Sequence, residues 1–181
     1  MKVKTLSLCC AFLLLFGCTP HPKVGPVKHY TRDELLTVFS THSDLFEEIG
    51  NIVRQNFFWE HRHEEGAGNE YGKISLWHPE DKLMDTKMAL FSESEQNAIW
   101  NFFSLVQPLS VTVRGLSNFK FVKFDFIDGK KGAFSLVYCY DKSSREEVKN
   151  HHRYNYNVYE ELSEGWFLCY RFPDSLSENY S

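Results

Sequence analysis

From position 119 to 127 the chain reads Phe-Lys-Phe-Val-Lys-Phe-Asp-Phe-Ile, an alternation of aromatic and charged residues. Successive side chains of an extended strand point to opposite faces, so this run predicts a β-strand with one apolar face. Asp128-Gly-Lys-Lys-Gly132 follows as a turn, and Ala133 to Tyr140 returns as a second apolar strand. The two form a hairpin, which commits the C-terminal half to an antiparallel sheet. The alternation slips by one position around Val122 and Lys123, which predicts a bulge there. Phe124 and Phe126 are thereby assigned to the buried face.

The N-terminal half carries the other period. Thr31-Arg-Asp-Glu34 has the form of a capping box. Beyond it Leu35, Phe39, His42, Phe46, Ile49, Val53 and Phe57 recur at threes and fours, one helical stripe. Ser40-Thr-His-Ser43 can divide it into two helices that bury the same face, with Asp44 and Glu47 as a second box. Ser92-Glu-Ser-Glu95 is a further box, and Ile99, Phe102, Phe103 and Val106 give a helical face that ends before Pro108. Lys73–Trp77, Leu109–Arg114, Tyr156–Leu162 and Gly165–Phe172 read as strands, the first and third of them short. Glu80–Leu90 reads as irregular, and Asp141–Asn155 as a polar connection. The expectation is an α+β domain over residues 31–172, its N-terminal helices packed on one face of an antiparallel sheet of about four or five strands. That order is compatible with a cystatin-like or nuclear-transport-factor-like cone, an analogy of fold alone. Residues 173–181 read as a disordered tail.

Residues 1–17 have the form of an export signal, with Lys2 and Lys4 ahead of an apolar stretch from Leu6 to Phe16. The stretch is shorter than the roughly 20 apolar residues that cross a bilayer. Leu15-Phe16-Gly17-Cys18 resembles the lipobox of bacterial lipoproteins. Phe16 is bulkier than the family pattern's residue at that place. The resemblance covers only this segment. It implies cleavage before Cys18, attachment of a diacylglyceryl group there with palmitate-type chains, and a membrane-anchored location facing outside the cytoplasm. The residue after Cys18 is Thr19 rather than Asp, which in the same family points to the outer membrane where a host has two. Residues 18–30 hold three prolines and a glycine without apolar periodicity and read as a tether.

Without Lys2 and Lys4 the chain carries 18 Lys and Arg against 24 Asp and Glu, a balance near −6. This argues against nucleic acid as a partner, which requires a basic face. It also argues against a polybasic membrane patch, leaving the lipid as the anchor. An extracytoplasmic setting permits a disulfide between Cys139 and Cys169. Two buried free thiols are the simpler expectation.

Candidate chemistry is sparse. His61-Arg-His63 places two imidazoles at spacing two, and Glu64, Glu65 or His78 can complete a divalent-metal site. A metal site needs three or four converging ligands, and one H-x-H in a polar loop reads first as a solvated loop. No metal and no cofactor is therefore expected. Asp125 and Asp128 bracket a hairpin end, and Glu160, Glu161 and Glu164 lie near a turn, where carboxylates serve solubility more often than acid–base work. Gly129 and Gly132 lack phosphate-loop spacing. No nucleophile motif is present. Trp59 and Trp77 border the irregular region and are the candidate binding surface. The reading is a non-catalytic binding or inhibitor/immunity-type domain on a lipid anchor. The alternative is a small envelope enzyme or metal-binding protein that uses His61, His63 and His78.

Overall fold

The structure is a computed structural model and describes residues 24–60, 72–78, 84–116, 119–128, 132–150 and 157–171. A two-residue strand β1 (His29–Tyr30) is followed by α1 (Arg32–Thr41), α2 (Ser43–Glu60), β2 (Gly72–Trp77), α3 (Met84–Met88) and α4 (Glu93–Val106). Then come β3 (Ser110–Leu116), β4 (Phe119–Asp128), β5 (Ala133–Cys139), α5 (Lys142–Asn150), β6 (Asn157–Ser163) and β7 (Trp166–Arg171). The fold is α+β, with one sheet in the order β2-β3-β4-β5-β7-β6 and every pair along that path antiparallel. β1 joins β4 in parallel, His29 opposite Ile127 and Tyr30 opposite Asp128. The sheet thus has seven strands rather than four or five. Six of them coincide with segments that read as strands, and the seventh, β1, is two residues long and pairs with β4.

Helix starts follow local chemistry. Thr31 and Ser92 cap α1 and α4, each with the reciprocal glutamate three residues on. The break between α1 and α2 falls at His42, and α2 begins at Ser43. Asp44 therefore lies in the first turn of α2 and not at its cap, where its charge suits the helix dipole. Gln107 closes α4 in the left-handed region at φ 49.

β4 shows why the alternation slipped. Phe121, Val122 and Lys123 pair with Cys139, Tyr138 and Val137 without any register shift, so no bulge exists there. The strand is buried on both faces instead. Val122, Phe124 and Phe126 face the main core, which Phe46, Ile49 and Val53 of α2 and Ile99, Phe102, Phe103 and Val106 of α4 complete. Phe121 points the other way, into a second cluster with Val137, Cys139, Phe167 and Cys169 beneath Val148 of α5. Two apolar faces in one strand mimic a phase slip. The register shifts that do occur lie in β6, between Val158 and Glu160 and between Glu161 and Ser163.

Three other readings are corrected. Asp141–Asn155, read as a polar connection, contains α5. The Asp141 carboxylate accepts from the Ser144 amide at 2.7 Å, an N-cap contact. Val148 is the only apolar residue in that helix, so it showed no periodicity. Glu80–Leu90, read as irregular, contains α3, whose Met84 and Met88 are buried. The tether reading extends too far. From Val24 onward the segment belongs to the fold: Val24 packs on the core, and Tyr30 is buried with its hydroxyl donating to the Val106 carbonyl at 2.6 Å.

Phe124 is fully buried, its ring 5.1 Å from that of Phe46 and 5.5 Å from that of Phe102. Phe124→Ala is expected to cost about 3–5 kcal/mol in a denaturant titration. A loss under about 1 kcal/mol would contradict the packing. Glu95 gives a pH dependence. Its partial burial opposes ionisation, but hydrogen bonds from the Ser92 hydroxyl, the Ser92 amide and the Asn56 amide outweigh it and hold the carboxyl below 4.5. A depressed carboxylate stabilises the fold above its ordinary value, and that stability is lost as pH falls through the folded-state value. Glu95→Gln keeps the capping shape and removes the titration. Its stability is expected to fall less steeply than that of the native chain below about pH 4.5, measured by denaturation midpoints across a pH series. Equal slopes would assign the acid limb to other groups.

Candidate functional site

Cys18, His61 and His63 lie outside the described residues. Trp59 stands in the last turn of α2, and its side chain also lies outside them. His78 is described, and it is an internal group, 6% exposed. Its backbone amide donates to the Leu109 carbonyl at 2.9 Å, and its ring stands edge-on to Phe103. Nε2 is 2.8 Å from the Gly25 carbonyl oxygen. A carbonyl only accepts, so Nε2 carries a proton and donates it there, and Nδ1 is buried without a hydrogen-bond partner. His78 therefore fastens the N-terminal segment to the end of β2. Among the described residues no three His, Cys, Asp or Glu side chains are placed to hold a metal.

The candidate carboxylates are engaged by the fold. Ser110, Asp125 and Ser135 occupy one register across β3, β4 and β5. One oxygen of Asp125 accepts from Ser110 Oγ at 3.0 Å and from Lys123 Nζ at 2.8 Å, and the other accepts from Ser135 Oγ at 2.6 Å. Lys123 and Asp125 are two apart in one strand, so their side chains share a face. Ser75 and Thr112 add a hydroxyl pair at 3.0 Å on the same face. Asp128 accepts from the Tyr170 hydroxyl at 2.9 Å.

The glutamates of β6 and the β6–β7 turn form ion pairs. Glu160 bonds Arg32 of α1, Glu161 is 2.8 Å from Lys149 of α5, and Glu164 is 2.7 Å from Arg145 of α5. The Arg145 guanidinium holds the Glu164 carboxyl below its ordinary value. These three acids meet cations and not one another, so they do not form the carboxylate pair that acid–base work in a cleft would use. The sequence offered no signal for these long-range partners.

Cys139 and Cys169 are free and buried. Cys139 lies opposite Phe121, whereas Cys169 lies opposite Ser135, four residues away along β5. Register thus keeps them apart. Burial pushes each thiol up to about 12, so neither supplies a thiolate near neutral pH.

What remains outward is apolar in a few places and acidic over one helical pair. Trp77 is 39% exposed, Leu90 47% and Leu105 54%, the exposed large apolar side chains among the described residues. On α1 and α2 the side chains of Asp33, Glu34, Asp44, Glu47 and Glu48 are exposed. Of the two arginines of the same helices, Arg32 meets Asp33 at 3.1 Å as well as Glu160, and Arg54 lies over the ring of Tyr140.

Compared with known proteins, the chain matches no protein family, no curated protein and no solved structure.

In a chain with Cys9, Cys10 and Cys18 replaced by Ser, Cys139 and Cys169 are expected to be silent towards a thiol reagent at neutral pH. Both should react once denaturant is added. Rapid reaction of either thiol in the folded chain would make it a candidate nucleophile and contradict its burial.

Proposed function

We propose that this chain is a lipoprotein of the cell envelope, anchored through Cys18 and facing outside the cytoplasm, whose domain is a non-catalytic binding or inhibitor/immunity-type module for a basic protein partner. The observation that carries the reading is the exposed acidic run at the start of α2, Asp44, Glu47 and Glu48, which forms no ion pair with the described residues. Asp33 by contrast meets Arg32 at 3.1 Å, Glu34 is held in the capping box by Thr31, and Glu160, Glu161 and Glu164 meet cations of α1 and α5. Outward like charges without a cation of the fold remain available to a partner of opposite sign. The anchor is supported by the signal-like residues 1–17 and by the lipobox-like Leu15–Cys18 ahead of Val24, the first described residue, which packs on the core.

A second reading keeps one observation. Nδ1 of His78 is buried without a hydrogen-bond partner. A metal-binding envelope protein or small enzyme would need it to converge with His61 and His63.

Cys18→Ser is expected to move the protein from the membrane fraction to the soluble fraction, or to leave it unprocessed. A processed variant that stays membrane-bound would sink the anchor. The partner arm compares the native chain with Glu47→Lys/Glu48→Lys in pull-downs from envelope extract, with metal analysis of both. A partner retained by the native chain, lost in the variant and released by salt supports the first reading. A stoichiometric metal that disappears on substitution of His61 and His63 supports the second.

A further inference from the structure

We infer that the domain sits on the bilayer by one particular end, with Trp77 and Leu105 seated in the lipid headgroup region. This rests on the anchor proposed at Cys18 and adds to it the surface that meets the lipid.

Chain length limits how far the domain can stand from the anchor. Val24 is already packed against the core, and six Cα steps separate it from Cys18. A fully extended chain spans at most about 3.3–3.6 Å per residue, so the anchor reaches no more than roughly 20 Å from Val24. A domain of this size has a radius of gyration of about 15 Å and is nearly 40 Å across, about twice that reach. A tether shorter than its domain cannot let the domain turn over. Whichever end carries Val24 faces the membrane.

That end is defined by contacts. The Gly25 carbonyl accepts from His78 Nε2, and the side chain of Gln107 lies directly on Gly25. The Lys28 amide bonds the Gln107 carbonyl, and β1 pairs with Ile127 and Asp128. The segment therefore runs across the end of the sheet where β2 finishes, β3 begins and β4 finishes, beside the C-terminus of α4. Trp77 is the last residue of β2, next to His78. Leu105 is two residues before Gln107. Of the three exposed large apolar side chains among the described residues, these two adjoin in sequence the residues that contact Gly25. An indole is favoured at the level of lipid headgroups, where its ring is apolar and its N–H finds water. Lys28 is exposed on the same segment, its Nζ 4.6 Å from the centre of the Tyr30 ring.

The test uses the lipidated full chain in phosphatidylethanolamine/phosphatidylglycerol vesicles whose acyl chains are brominated near the headgroup. Bromine quenches tryptophan only on contact. The native chain is expected to float with the vesicles and to show quenching that Trp77→Phe removes. An insert of about 20 Gly and Ser residues between Pro22 and Lys23 adds a span of roughly 25 Å and is expected to reduce that quenching. A chain that does not float overturns the anchor reading and this inference with it. A chain that floats with quenching unaltered by Trp77→Phe overturns the orientation alone. Trp77-dependent quenching that survives the insert undiminished overturns tether length as its cause.

Discussion

The ring of Phe124 is the point on which the architecture turns. It stands mid-strand in β4, between Val111 of β3 and Leu136 of β5, and meets Phe46 of α2 and Phe102 of α4 within 5.5 Å. Phe46 and Phe102 are themselves 5.1 Å apart, edge to face. Three rings in mutual contact give each pair about 0.5–1.5 kcal/mol beyond simple area burial. They also fix where two helices cross one sheet, since edge-to-face rings tolerate little sliding. The main layer is therefore set by a triangle of aromatics, and the other core positions fill in around it.

The second constraint is the edge. β6 ends the sheet, and an unpaired strand edge is a template for aggregation. Here it is shortened by two bulges and flanked by ion pairs from α1 and α5. Exposed pairs of this kind contribute little each, about 0.2–1 kcal/mol. Their effect is positional: Arg32 ties one edge of the helical layer to β6, and Lys149 ties α5 to the same strand from the other side. The Asp125 network works in the same sense on the second face. A carboxylate only 15% exposed is tolerable because Lys123 balances its charge and two serines fill its acceptors.

Much of this was legible in residue order, and the limits have physical causes. Both capping boxes and the buried stripe Leu35, Phe46, Ile49, Val53 follow local rules and were read correctly. β4 and β5 were placed by their period. The apparent bulge at Val122 arose because a single-face rule was applied to a strand with two buried faces, and only α5 explains the second. That helix was hidden because one apolar residue, Val148, suffices for it. β1 was hidden because two residues carry no period, and Tyr30 earns its place through a contact with Val106, 76 residues away. His78 shows the same limit at the candidate site. Its neighbourhood in sequence suggested a ligand, and its partner turned out to be the Gly25 carbonyl.

That partner changes what the N-terminal segment does. A spacer ending at residue 30 would be 12 steps long and would leave the domain free to tumble above a membrane. Fastened at Gly25 and Tyr30, the free length halves. Tethering through a short span raises the effective concentration of one surface at the lipid and depletes every other, without any new contact. On the proposed anchor, modest apolar groups would suffice at the proximal end, because Trp77 and Leu105 would only have to settle the protein and not recruit it.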